Sequence, residues 1–159
     1  MPERRIFIAC DHGGYELKES LKQWLGQQGY SVSDFGTHST ASVDWPDFAL
    51  LVSQAVLGDR AAGGDAVGIM IDSIGQASAM ACNKVPGIRA VVGFEPFAVH
   101  SSRQHNDANV LCLGGQVLGP GLAKHLVELW LDTPYEGGRH QARLEKLGAI
   151  EKRFCKESP

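Results

Sequence analysis

Apolar positions along the chain fall into short β-type runs separated by stretches with helical spacing. Runs of the first kind occupy Arg5–Cys10, Tyr30–Phe35, Ala66–Ile71, Ile88–Val92 and Asn109–Leu113. Between them, Leu17, Leu21, Trp24 and Leu25 recur at helical intervals, as do Phe48, Leu51, Val52, Ala55 and Val56, and later Leu122, Leu126, Leu129 and Trp130. That spacing puts each set on one face of a helix. Strand and helix alternating in this way predict an α/β fold, with a five-stranded parallel sheet covered on both faces. Gly58–Asp65 reads as a surface loop. Leu144, Leu147, Ile150 and Phe154 continue the helical spacing after Gly137 with no strand behind them. A helix over about 137–154 is therefore expected to pack on the body or on a partner subunit. No long linker, internal repeat or low-complexity tract interrupts 1–159, so a single domain is expected.

Composition narrows the class further. The chain is 43% hydrophobic and 21% charged with a net charge of −3, and it carries no basic stripe. A nucleic-acid or membrane-surface role thus has no electrostatic footing. Met1–Arg5 lead straight into the first strand without an apolar stretch long enough for a signal peptide or a spanning helix. Cys10, Cys82, Cys112 and Cys155 are scattered, with no Cys-x-x-Cys pair. These features favour free thiols in a reducing cytoplasm and speak against a structural zinc.

Four segments carry candidate chemistry. In Ala9-Cys10-Asp11-His12-Gly13-Gly14 a strand is followed by a carboxylate, an imidazole and two glycines. Ligands of open parallel sheets sit beyond the carboxyl ends of the strands, and glycines let them approach the backbone. An isolated Asp-His of this kind would otherwise be a capped turn. The second segment, Gly68 to Ser78, is an apolar strand ending in Asp72-Ser73-Ile74-Gly75. Such a turn can offer backbone N–H groups to an anion or a developing oxyanion, although Asp72 alone is equally an N-cap. It has no Gly-x-Gly-x-x-Gly fingerprint and no Walker lysine, so nucleotide binding is poorly supported. The third, His105-Asn106-Asp107-Ala108-Asn109, crowds polar groups ahead of a strand, where a surface turn is the simpler explanation. The last is Tyr135 to Arg143. Arg139 and Arg143, four apart, point the same way on a helix and suit a phosphate. For an arbitrary pair a solvated basic face is the commoner explanation.

Taken together, the segments resemble the ribose-5-phosphate isomerase B family, which includes the subunits of galactose-6-phosphate isomerase. The resemblance runs from Ile6 to about Ile150. It is carried by Cys10-Asp11-His12-Gly13-Gly14-Tyr15-Glu16-Leu17-Lys18, Asp34-Phe35-Gly36-Thr37, Ala81 to Arg89, Ser102 to Val110, and Glu136-Gly137-Gly138-Arg139-His140. It implies a Rossmann-like three-layer α/β/α sandwich and a metal-free, cofactor-free aldose–ketose isomerase working through a cis-enediolate. It also implies a homodimer or homotetramer with sites shared between subunits. Carried over, Asp11 and His12 contact the sugar and its phosphate, His105 assists ring opening beside Asn106, and Arg139 and Arg143 hold the phosphate.

The chain departs from the family at the reactive loop. Most members place a catalytic cysteine in Cys-Gly-Thr-Gly or Cys-Gly-Ser-Gly, where this chain has Asp72-Ser73-Ile74-Gly75. A minority instead use a glutamate further along the loop, at the position of Ser78. Ala77 replaces the loop's second glycine, Gln116 an expected arginine, and Trp45 a frequent tyrosine. The expected catalytic set is therefore Asp72, Ser73 and His105. Asp11, His12, Trp45, Gly75, Ser78, Asn106, Arg139 and Arg143 are the expected substrate contacts, and no cysteine is expected to be essential. Asp72 suits the base role because a carboxylate is ionised at pH 7 without assistance. The resemblance also leaves two other functions open: an isomerase for a four- or six-carbon sugar phosphate, and a non-catalytic binding subunit. The second rests on the A subunit of galactose-6-phosphate isomerase, which has a similar Ile-Asp-Ala-Tyr-Gly segment.

Overall fold

In the computed structural model, which describes residues 4–155, five strands form one parallel sheet. The strands are β1 (Arg5–Cys10), β2 (Ser31–Asp34), β3 (Val67–Asp72), β4 (Ala90–Val92) and β5 (Val110–Gly114). Their spatial order is β2-β1-β3-β5-β4. Six α-helices accompany them: α1 (Tyr15–Gln27), α2 (Trp45–Ala61), α3 (Gln76–Cys82), α4 (Pro96–Gln104), α5 (Pro120–Asp132) and α6 (Gln141–Phe154). This is the three-layer α/β/α arrangement that strand–helix alternation predicts.

Period-two alternation along the strands builds the two cores. Ile6, Ile8 and Cys10 of β1 join Leu17, Leu21 and Leu25 of α1 and Leu126 and Trp130 of α5 on one face. Phe7 and Ala9 turn the other way, toward Ala49, Val52 and Val56 of α2 and Cys82 of α3. Strands buried on both faces are continuous apolar runs for this reason. Successive strands leave β1 in opposite directions, β2 to one side and β3 to the other. A crevice thus opens at the carboxyl ends of β1 and β3, the place where such sheets bind ligands.

A buried charge network fixes the short strand β2. Lys18 of α1 is fully buried, and its ammonium reaches Asp34 at 2.7 Å and Glu19 at 3.1 Å. Lys22 meets the same Asp34 at 2.7 Å. Burial alone would raise the Asp34 carboxyl, but the two ammoniums and the Gly36 amide hold it down at about 2.

Two boundaries differ from the sequence reading. Helix α2 runs through Gly58 to Ala61, so only the end of Gly58–Asp65 is a loop. Asp59 accepts from the Ala66 amide at 3.0 Å and the Arg60 Nε donates to the Ala66 carbonyl at 2.9 Å, which extends the helix past its glycine. The tail opens as a single 3-10 turn, Gly138–His140, before α6 begins. No residue of α6 is buried, and Leu147, Ile150 and Phe154 are exposed on it. Among the described residues no helix is long and apolar enough to cross a membrane.

Candidate active site

At the carboxyl edge, Asp11 directly follows β1 and Asp72 closes β3. Asp11 is buried, and its Oδ1 accepts from the Gly13 amide at 2.9 Å and the Gly14 amide at 3.2 Å. The same residue donates its own amide to the Ile71 carbonyl, which sets it beside the end of β3. Gly14 is required here, since a Cβ would lie 2.3 Å from that carbonyl oxygen. Oδ2 of Asp11 accepts no hydrogen bond from a described residue. Burial pushes the Asp11 carboxyl up, opposed by the Gly13 amide, with the Asp72 charge adding to the rise. His12 is exposed, and its Nδ1 accepts from the Val43 amide at 3.2 Å. That bond brings the segment leading to half-buried Trp45 alongside the crevice.

Asp72 is also buried, but both of its oxygens are engaged. Oδ1 accepts from the Ile74 amide at 2.8 Å and from the Gly75 amide. Oδ2 accepts from the Ser78 amide at 2.9 Å and the Ser78 hydroxyl at 2.6 Å. Four donors fill the roughly four lone-pair positions of a carboxylate. The loop can wrap its own aspartate because Gly75 takes φ 91°, a left-handed value that side chains resist. Half-buried Ser73 turns toward Gly13, where a Cβ would collide with its Oγ. Its carbonyl accepts from the exposed Gln116. Asp11, His12, Trp45, Asp72, Ser73, Gly75 and Ser78 thus gather at one edge.

The other expected residues do not join them. His105 closes α4 and precedes β5, so it lies at the amino edge of the sheet. Strand β5, Val110–Gly114, separates the edges by about 16 Å. Asn106 is exposed beside His105, and its carbonyl is held by the Arg89 Nε at 3.0 Å. Arg89 also pairs with Asp107 at 2.7 Å, and Arg103 meets that carboxylate at 3.0 Å. Asp107, at φ 45°, makes the tight turn. Arg139 and Arg143 are exposed near this edge, with no ion pair to a described residue.

Two residues to which the sequence reading gave no role complete this cluster. The His105 and His140 rings stack with centroids 4.3 Å apart at 17°. Glu136 Oε2 lies 3.5 Å from His140 Nε2 and 4.0 Å from His105 Nε2. The i, i+4 spacing of Glu136 and His140 was the available signal. His105, Glu136 and His140 are the three groups here whose donor atoms come close enough to consider for a metal. Near-parallel rings send their in-plane lone pairs side by side rather than to one point, so the arrangement does not fit a metal ion.

Cys10, Cys82 and Cys112 are buried, and only Cys155 is exposed among the four. Burial pushes the Cys10 thiol up to about 12. The contact with Cys82, together with burial, raises that of Cys112.

Residues 6–147 match the family model described as Ribose/Galactose Isomerase. The chain is 45% identical over 150 residues to ribose-5-phosphate isomerase B of Escherichia coli, covering 94% of this chain and 98% of that one. Ribose-5-phosphate isomerase B from Clostridium thermocellum superposes with a TM-score of 0.89 at 47% identity, covering 94% and 99% of the two chains. The Mycoplasma genitalium ribose-5-phosphate isomerase B structure with bound ribulose-5-phosphate gives 0.87 at 36% identity, covering 94% and 97%.

Proposed function

The chain belongs to the ribose/galactose isomerase family, and from that premise we propose that it interconverts ribose 5-phosphate and ribulose 5-phosphate. The observation that carries the proposal is the division of chemistry between the two sheet edges. One edge offers carboxylates, loop amides and His12; the other offers an imidazole and two guanidiniums that pair with no described residue. Neither half suffices for a cyclic sugar phosphate. A ring-opening acid and phosphate ligands are needed together with a base for C2. Two copies, each lending one edge to the other, would form complete sites in a homodimer or homotetramer. Ile74, Phe94 and Val117, exposed on the loops that leave β3, β4 and β5, and exposed Phe97 in the first turn of α4 supply apolar surface for such an association.

Chemically, the base takes the C2 proton of the open-chain aldose. The electron pair of that C–H bond forms the C1–C2 double bond, and the carbonyl electrons move to O1, giving a cis-enediolate. Return of the proton to C1, with the O2 proton passing to O1, then gives the ketose. The Gln76 and Ala77 amides, in the first turn of α3, donate to no described residue and supply partners for the enediolate. Asp72 occupies the position of the family's cysteine and is the base expected from the sequence. Its four hydrogen bonds leave no lone pair free, so one bond must open before it can act. This observation favours a second reading, in which Asp11, with Oδ2 uncommitted and its carboxyl raised by burial, takes the proton.

Ribose 5-phosphate turnover by the wild type, Asp72→Asn and Asp11→Asn tests both readings. Loss in Asp72→Asn alone assigns the base to Asp72, and loss in Asp11→Asn alone assigns it to Asp11. A wild type inert toward ribose 5-phosphate but active on a four- or six-carbon sugar phosphate overturns the substrate assignment. Calorimetric binding without turnover would make the chain a non-catalytic subunit.

A further inference from the structure

We infer that Glu136 and His140 are positioning residues for His105, forming a carboxylate–imidazole pair with a stacked platform that readies His105 to open the sugar ring. The inference rests on the isomerase reading above.

Three observations bring these side chains together from different elements. The Glu136 amide donates to the Gln104 carbonyl at 3.0 Å, tying the loop after α5 to the residue before His105. The His140 ring is buried and lies flat against His105, which fixes the imidazole plane. His140 Nε2 is buried without a hydrogen-bond partner, and the nearest acidic atom is Glu136 Oε2 at 3.5 Å. That same oxygen is 4.0 Å from His105 Nε2. Catalytic hydrogen bonds are often this long before substrate binds and tighten afterwards.

A carboxylate facing Nε2 orients the ring and holds a proton on that nitrogen, as in other carboxylate–histidine pairs. The opposite nitrogen, Nδ1, is then the one that serves the substrate. In the furanose form of ribose 5-phosphate, the Nδ1 proton passes to the ring oxygen as the bond from C1 to that oxygen breaks. The C1 hydroxyl gives its proton to water, leaving the aldehyde, and His105 regains a proton from solvent. Nothing is oxidised or reduced. Glu136 touches no reacting atom in this scheme; it acts through His105.

The reaction itself separates this role from a merely structural one. Exchange of the C1 hydrogen of ribulose 5-phosphate with deuterium oxide needs the base and the enediolate but no ring opening, because a ketose phosphorylated on C5 is acyclic. Glu136 is exposed, so Glu136→Gln should fold. Wild type and variant are compared for conversion of ribose 5-phosphate and for that exchange. The expected result is a 10- to 100-fold loss in kcat/KM for the cyclic aldose, exchange within about threefold of wild type, and partial rescue by Glu136→Asp. His140→Gln should show the same split, more weakly. Equal losses in conversion and exchange, or an unimpaired Glu136→Gln, overturn the positioning role. A wild type inert in both measurements overturns the isomerase reading instead.

Discussion

Asp11 and Asp72 stand at adjacent strand ends in opposite circumstances. Asp72 is saturated by three backbone amides and one hydroxyl, whereas Asp11 keeps one oxygen uncommitted. Replacing Asp72 by Asn presents an NH2 group to amides that need an acceptor. We expect a loss of about 1–3 kcal/mol in stability, read as a lower urea midpoint at an unchanged m-value. Ser78→Ala removes one of the four bonds and should cost about 1 kcal/mol. An Asp72→Asn protein as stable as wild type would sink this account of the loop. Asp11→Asn should behave differently. Its folded-state carboxyl is raised, so the charged form is disfavoured by folding, and an asparagine can still cap the turn. We expect its midpoint at pH 7 to equal or exceed that of wild type. The cysteines permit a further check at this scale. Iodoacetamide at pH 7.5 should modify Cys155 alone in the native protein and leave turnover intact. Labelling of Cys10 with loss of activity would contradict the thiol-free site.

Among the elements, β2 is the one most dependent on charge. Only Val32 in its four residues is apolar, and the Asp34 carboxylate is fastened by Lys18 and Lys22 of α1. Folding lowers this carboxyl to about 2, so its contribution is fully present above the unfolded value near 4. The contribution disappears as pH falls from about 4 through 2, and it amounts to about 2 kcal/mol. Asp34→Asn should flatten the stability profile in that window. It should also destabilise the protein at pH 7 by about 3 kcal/mol, since buried Lys18 would keep only Glu19. A variant with the wild-type acid limb would refute the assignment. Elements were legible in the sequence where burial dictated the pattern. The runs of β1, β3 and β5 are apolar because both faces are covered. The end of α2 was not legible, because Gly58 resembles a breaker and only the Asp59 and Arg60 bonds to Ala66 show why the helix continues. Within the reactive loop the chemistry-bearing residue types were evident, but the saturation of Asp72 was not. It depends on the chain doubling back so that Ser78, six residues on, reaches the same carboxylate.

For the whole molecule, the governing fact is that the candidate residues of one chain divide between opposite edges of the sheet. A residue that follows a strand and one that precedes a parallel strand must lie at opposite edges, so Asp72 and His105 cannot meet within a chain. Strand direction alone was enough to foresee this. Helix α6, with no buried residue and exposed Leu147, Ile150 and Phe154, is a surface that a second copy could cover while bringing Arg139 and Arg143 toward the other chain's crevice. If sites form between copies, an Asp11→Asn/Asp72→Asn chain and a His105→Asn chain are each inactive by themselves but complement when mixed. In a hybrid dimer one site collects every substitution and the other collects none. Unfolding and refolding an equimolar mixture makes about half the dimers hybrids, so activity should return to about a quarter of wild type. The recovered activity should coelute with the oligomer on gel filtration. A mixture as inactive as its parents would mean that each chain completes its site alone, and the two sheet edges would then need separate functions.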